Sequence, residues 1–345
     1  MKFPQSLIKE YIESQMVFAL LRFPGEEDYT LYTSEVGTAG IDPSVTICFF
    51  GTGSKPSTTL YAVADSVPHS APTDMLAVAT VPGKREYIAA ASAVIGGLKE
   101  RGGKTVFSRR KAVVASAEPA DVAQSYFCEH SEALCFIYYT PLTGLWLGAT
   151  PELIVDKRGD TIRSMALAGT KSADDDTPWD RKNVEEHQFV LSHILDVFHR
   201  NGITGLTVTA EEMTTGAVRH LRHSICGKGT ADVATLTSAL SPTPAICGTP
   251  VESALDDICK HEALPRACYG GEIIVSDARH NASYLNLRSA LISRDEACGK
   301  WIYNIFCGGG MTALSDPETE WEETELKAKS LLDTIMNHQN LCPTV

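Results

Sequence analysis

The sequence predicts an α+β fold built on antiparallel sheets. Segments of alternating hydrophobicity come in hairpin-like pairs, helical segments are interspersed among them, and no repeat, heptad pattern or low-complexity tract occurs. At 345 residues, 43% hydrophobic and 21% charged, the chain has ample material for a core. It is read as a single domain over residues 1–345.

Taken in order, the first 80 or so residues are the least informative. A helix over Ser6–Ser14 leads to strand-like pieces at Val17–Phe23, Tyr29–Tyr32 and Thr46–Gly51, and Pro68 to Pro82 reads as loop. Tyr87, Ala91, Val94, Ile95 and Leu98 recur at helical spacing and predict a helix over Arg85–Arg101. Gly102-Gly103 ends it, and the strand Lys104–Ser108 follows at once. Leu134–Thr140 with Gly144–Gly148 predicts one hairpin, and Glu152–Asp156 with Thr161–Ala168 around Arg158-Gly159 another. Thr177-Pro178 offers a helix start with proline at the first helical position. Val184, Leu191, Ile194 and Phe198 form the apolar stripe of that helix, which ends at Gly202. Strands return at Leu206–Ala210 and Val218–Ser224. Helices over Thr230–Leu240 and Pro250–Lys260 flank the proline-rich Ser241-Pro242-Thr243-Pro244. Gly271–Asp277, Ala282–Ile292 and Trp301–Cys307 predict strands, closed by a terminal helix.

The formal charge of −13 argues against nucleic acid or an anionic membrane surface as a partner. An anionic small substrate would need a local cation or a metal. Met1–Gln15 is polar and lacks the apolar core of a signal peptide, and no run approaches the roughly 18 apolar residues of a membrane span. The ten cysteines are scattered without a Cys-x-x-Cys, most in apolar stretches such as Ile47-Cys48-Phe49. That pattern predicts buried reduced thiols in a cytoplasmic protein, with neither a disulfide frame nor a zinc site.

The chemistry is expected to centre on Tyr303–Lys329. A strand places Tyr303, Ile305 and Cys307 on one side and Asn304 and Phe306 on the other; Gly308, Gly309 and Gly310 follow, then a loop through Ser315-Asp316-Pro317. A helix from near Pro317 to Lys329 carries Leu326 and Leu331 inward. It puts Glu320, Glu323 and Lys327 on one face, three and four residues apart. Glycines at a strand end can cradle an anion, and two carboxylates facing them suit a divalent cation with oxygen ligands. A solvated acidic helix face beside an ordinary turn explains the same residues. Elsewhere, Lys104 opens a strand after a glycine pair, where edge guards are common, Glu152 stands at a strand start, and Gly169 marks a turn. Glu185-Glu186-His187 lies on a helix, His220 alternates with apolar neighbours, and Arg288 on a strand suits bidentate carboxylate binding. None of these decides a function alone.

Together and in this order they resemble the chorismate-utilising enzymes, the family of isochorismate synthases, salicylate synthases and anthranilate synthase large subunits. Lys104-Thr105-Val106-Phe107-Ser108-Arg109 resembles the family's K-V-V-L-S-R, Thr150-Pro151-Glu152-Leu153 its S-P-E-L, and Leu167-Ala168-Gly169-Thr170 its L-A-G-T. Glu185-Glu186-His187 matches its E-H helix motif and Arg288-Ser289-Ala290 its R-x-A strand. Cys307-Gly308-Gly309-Gly310, Asp316-Pro317 and Glu320-Trp321-Glu322-Glu323-Thr324 match its G-x-G, S-D-P and E-W-x-E-T ending. The resemblance runs from about Arg85 to Met336, so residues 85–336 are expected to be the chorismate-binding core and residues 1–84 a shortened N-terminal part. Leu240–Pro250 is similar to the H-P-T-P-A-x-x-G-x-P of isochorismate synthases, with Ser241 for the usual His. Ala245 stands where ammonia-adding members carry Thr.

The resemblance implies two large, mostly antiparallel sheets packed together with helices outside and the active site in a cleft between subdomains. It implies conversion of chorismate to isochorismate, with water adding at ring C2 and the C4 hydroxyl leaving. Lys104 is then the base and Glu152 the acid. At its ordinary pKa of ~10.4, Lys104 would be neutral in only ~0.04% of molecules at pH ~7, so burial must lower it toward ~7–8 and raise Glu152 toward ~6–7. Mg²⁺ is expected on Glu186 and Glu320, with Glu323 through water. Arg288, Tyr269 and the amides of Gly308 to Gly310 would take the enolpyruvyl carboxylate. Thr170 and His220 would line the ring, with Gly169, Ala245 and Lys327 also counted at the substrate. A monomer serving menaquinone synthesis is the expectation, with siderophore synthesis as the other pathway. The alternatives are a salicylate synthase, which goes on to eliminate pyruvate, and a non-catalytic, metal-dependent chorismate binder.

Overall fold

Two eight-stranded sheets, every neighbouring pair antiparallel, carry the architecture in a computed structural model that describes residues 2–38, 42–53, 55–62 and 76–339. From edge to edge the first sheet runs β12 (Gly248–Thr249), β5 (Lys104–Ala115), β16 (Lys300–Met311), β15 (Ser289–Asp295), β7 (Gly144–Thr150), β6 (Leu134–Thr140), β1 (Phe18–Arg22) and β2 (Thr30–Tyr32). The second runs β10 (Thr204–Thr215), β11 (Val218–Lys228), β9 (Thr161–Ser172), β8 (Leu153–Arg158), β14 (Asn281–Leu285), β13 (Glu272–Ser276), β3 (Ser44–Cys48) and β4 (Ser57–Tyr61). Seven helices accompany them among the described residues: α1 (Gln5–Glu13), α2 (Lys84–Arg101), α3 (Pro119–Glu129), α4 (Arg181–Arg200), α5 (Val233–Leu240), α6 (Val251–His261) and α7 (Pro317–Gln339). The α+β class with two antiparallel sheets is the one the sequence predicts.

The period-two alternation of strands divides the apolar side chains between two cores. Leu134, Phe136 and Tyr138 of β6 and Trp146 of β7 face the second sheet, meeting Val45, Val155, Ile273 and Leu285. Their neighbours Cys135, Ile137, Leu145 and Leu147 face outward, under Val122, Tyr126 and Phe127 of α3 and Leu331 and Ile335 of α7. The first sheet is therefore covered on both faces, which is why β6 and β7 are buried along their whole length. On the second sheet, Val190, Ile194 and Phe198 of α4 pack with Ile162, Ala166 and Ile225.

Several expectations need correcting. Pro178 does not open α4. Asp180 caps it instead, accepting from the Asn183 amide at 2.8 Å, and the helix begins at Arg181. Val184 is 51% exposed and off the stripe, which is Val190, Leu191, Ile194, Val197 and Phe198. Leu326 is only half-buried. Helix α3 was not foreseen, and β5 continues seven residues beyond Ser108 through the basic run Arg109-Arg110-Lys111. The run is held in the strand by distant partners: the Arg109 guanidinium lies 3.7 Å from the Trp321 ring centre and the Lys111 ammonium donates to Glu325 at 2.5 Å. Ala282–Ile292 is two strands: β14 ends in the second sheet, the chain crosses at Asn286 to Arg288, and β15 begins in the first. Residues 68–75 of the expected loop lie outside the described residues.

Candidate active site

The crossing between sheets, the glycine stretch of β16 and the N-terminal halves of α4 and α7 meet at one cleft. Glu152, Thr170, Glu186, His220, Ala245, Tyr269, Arg288, Gly308, Gly310 and Lys327 all line it. Lys104, Glu320 and Glu323 stand behind that lining. Gly169 is not part of the wall.

Gly169 acts through the backbone. Residues His220 and Leu221 of β11 pair with Thr170 and Ala168 of β9, so Gly169 is the extra residue of a bulge, at φ +73°. A side chain there would meet the Asn183 carbonyl at 3.0 Å, so the glycine also lets α4 approach β9. The bulge carbonyl lies 3.1 Å from His220 Nδ1, and the Thr170 hydroxyl lies 3.2 Å from the same nitrogen. An arginine can only donate, so Arg288 Nη2, 2.9 Å from Nε2, makes that nitrogen the acceptor and leaves the proton on Nδ1 for Gly169. His220 is accordingly neutral: burial, then the Arg288 and Lys327 charges, hold its pKa well below the ordinary value. Arg288 itself sits at φ +51°, a backbone conformation uncommon outside glycine, at the crossing where the chain changes sheets. It was expected within a continuous strand, and the break is what turns it into the cleft.

The three glycines are not a loop after the strand but the end of β16, where Gly308, Gly309 and Gly310 pair with Ser108, Phe107 and Val106 of β5. On their other side the β15 ladder stops at the Ala290–Ile305 pair, so that edge of the glycine stretch is left without a strand partner. Lys327 uses it, donating to the Gly308 carbonyl at 2.8 Å and to Glu323 at 2.7 Å. The glycines also clear space for carboxylates. A Cβ on Gly309 would lie 2.6 Å from Glu320 Oε2, and one on Gly310 would fall on Glu186 Oε1 and within 2.6 Å of Lys104 Cε.

Lys104 is 1% exposed. Its ammonium comes within 3.2 Å of Glu186 Oε1 but without the alignment of a hydrogen bond. Burial lowers its pKa, opposed by Glu186. Glu152 is 5% exposed, and burial pushes its carboxyl up to about 8 against the pull of Lys104. Glu186, Glu320 and Glu323 converge from α4 and α7, and Lys182 lies among them, 3.1 Å from Glu186, 3.0 Å from Glu320 and 3.9 Å from Glu323. Burial would raise Glu186, but Lys182, Lys104 and Lys327 overcome it and hold it low. Glu320 is raised by burial, which Lys182 opposes and Glu323 reinforces. The all-oxygen donor set, with a buried Glu320 Oε2 that has no hydrogen-bond partner, fits a hard divalent cation. Among the described residues, though, no three acidic, His or Cys side chains form a ready-made ligand cluster. The sequence reading passed over Lys182 and Asn183; the i, i+4 spacing of Lys182 before Glu186 was the signal for the first.

Residues 57–336 match the family described as chorismate binding enzyme, and this chain belongs to it. The match begins upstream of Arg85, where the resemblance by motif started. The chain is 29% identical over 217 residues to isochorismate synthase EntC of Escherichia coli strain K12, covering 58% of this chain and 54% of that protein. To the vibriobactin-specific isochorismate synthase of Vibrio cholerae serotype O1 it is 32% identical over 203 residues, covering 54% and 49%. It thus spans about half the length of the curated relatives it matches. Its fold is similar to that of MenF, the menaquinone-specific isochorismate synthase of Escherichia coli (TM-score 0.73, 19% identity, 95% of this chain and 91% of that one). It is also similar to anthranilate synthase component I of Streptococcus pneumoniae (TM-score 0.64, 15% identity, 92% and 90%). No helix among the described residues is long and apolar enough to cross a membrane.

Proposed function

We propose that this protein is an isochorismate synthase, converting chorismate to isochorismate by adding water at ring C2 and releasing the C4 hydroxyl. The observation that supports it best is the pair of buried groups at one cleft, Lys104 and Glu152, both pushed toward their neutral forms by burial. A neutral amine at Lys104 takes the proton of the attacking water. A protonated carboxyl at Glu152 gives one to the departing hydroxyl. Arg288, held by neutral His220, offers the cleft a fixed positive charge for a substrate carboxylate, with Tyr269 beside it. Ala245 presents no hydroxyl to orient ammonia and leaves room for water. Glu186, Glu320 and Glu323 would hold Mg²⁺, which when bound supplies positive charge for the ring carboxylate. The net charge of −13 is offset locally by the cations Lys182, Lys327 and Arg288.

The test is product analysis by NMR after incubating the purified protein with chorismate, MgCl₂ and excess ammonium. Isochorismate with neither pyruvate nor aminated product is expected. Stoichiometric pyruvate would make it a salicylate synthase, aminodeoxyisochorismate would overturn the role given to Ala245, and binding without turnover would make it a chorismate binder.

A further inference from the structure

We propose that Lys182 is the resident counter-ion of the carboxylate cluster, and that a divalent cation binds there only by displacing its ammonium. This rests on the reading of Glu186, Glu320 and Glu323 as metal ligands given above. Lys182 stands four residues before Glu186 on α4, so one turn of helix lays both on the same face. Its ammonium reaches Oε2 of Glu186 at 3.1 Å, Oε1 of Glu320 at 3.0 Å and Oε2 of Glu323 at 3.9 Å. With its side chain 13% exposed, it touches all three carboxylates from a position with little access to water. Those are the oxygens a metal would need, and two cations sharing them at such distances in a partly dehydrated site repel strongly. One position is nevertheless left over. Glu320 Oε2 is buried without a hydrogen-bond partner, and it points at Gly309, where a side chain would lie 2.6 Å away. The ammonium therefore bridges the three carboxylates without saturating their oxygens.

The displaced side chain has somewhere to go. Asp180 and Asn183, on either side of Lys182, line a cavity of about 380 Å³ whose other charged lining is Asp175, Glu322 and Glu323 against the single cation Lys171. A flexible four-carbon stem can swing its charge from buried carboxylates to that more open acidic wall. The arrangement keeps the metal-free fold intact, because three carboxylates are never left facing one another unscreened. It also weakens metal binding by the cost of evicting the ammonium.

The test is titration of the full-length protein with MgCl₂ alone, by calorimetry at about pH 8.5, so that protons do not take the ammonium's place. Lys182→Met should bind Mg²⁺ at least about tenfold more tightly than wild type, and Lys182→Arg, which keeps the charge, should not. In EDTA, Lys182→Met should melt below wild type, and Mg²⁺ should raise its Tm more. Equal or weaker binding by Lys182→Met, with wild-type Tm, overturns the inference while leaving the metal site standing. No uptake by either protein overturns the metal site and this inference together. A second measurement uses wild type alone, in case the variant does not fold. Amine-reactive labelling of Lys182, read by peptide mass, should rise when Mg²⁺ binds; unchanged labelling with Mg²⁺ bound overturns the displacement.

Discussion

Lys104 and Lys182 stand on opposite oxygens of the same carboxylate, Glu186, at 3.2 and 3.1 Å, yet their pKa values are pushed in opposite directions. Burial lowers both. For Lys104 the burial wins, because one carboxylate is its main counterweight and the nearby Lys182 charge adds to the lowering. For Lys182 it loses, because Glu186, Glu320 and Glu323 together raise the pKa well above the ordinary value. The same residue type at similar depth thus becomes a candidate base in one place and a fixed charge in the other. Between the two lysines, what decides is the number of carboxylates within reach; at Glu152 burial outweighs the pull of Lys104, Lys327 and Arg288, and pushes it the same neutral way as Lys104.

Disturbing each side should have different consequences. The largest effect is expected on the charged side: Glu320→Gln, or EDTA added to wild type, should abolish turnover measured by isochorismate formation, while circular dichroism shows the fold unchanged. Near-normal activity in EDTA would remove the metal from the account. On the neutral side, Lys104→Ala and Glu152→Gln should each lower kcat by ~10²–10⁴ with much less change in KM, since the carboxylate-binding groups are elsewhere. The double variant should fall far short of the product of the two losses. A Lys104→Ala enzyme within roughly tenfold of wild type would rule out that role. The smallest effect should come from Gly310→Ala, which pushes a methyl onto Glu186 and Lys104 and so strains the junction between the two sides. Overpacking of this kind costs about 1–3 kcal/mol, to be read from denaturant unfolding, and kcat should fall with it.

The sequence revealed the sheets more fully than the site. Hairpins such as β6–β7 and β8–β9 are local in the chain, and alternation with tight turns marks them directly. The buried face of α2 could be read residue by residue, since Tyr87, Ala91, Val94, Ile95 and Leu98 are the residues it buries. The basic extension of β5 could not, because Arg109 and Lys111 become strand residues only when Trp321 and Glu325, over 200 positions away, arrive to pair with them. The break at Arg288 was hidden for a similar reason: Ala282–Ile292 carries apolar residues on both sides of Asn286 and Arg288, and nothing in it shows that the chain changes sheets. The grouping of ten predicted residues at one cleft rested on resemblance, as spacing alone gives no hint that β5, β9, β11, β16, α4 and α7 converge. Lys182 was missed because a lysine on an exposed-looking helix turn reads as solvated until two glutamates from α7 close over it.

The direct test of the acid–base account is the pH dependence of kcat/KM, which reports ionisations of the free enzyme. Glu152 must be protonated to act, and its carboxyl is pushed up to about 8, so activity should fall as the pH rises through about 8. Lys104 must be neutral, so activity should fall on the acid side, below an apparent pKa under the ordinary 10.5. Stability carries the same signature. The folded Glu152 pKa lies above the ordinary 4.5, so the stability it contributes is present below 4.5 and lost as the pH rises through about 8. A bell-shaped profile in wild type, with the alkaline limb missing from the residual activity of Glu152→Gln, is the predicted result. An alkaline limb that survives unchanged in Glu152→Gln would contradict it.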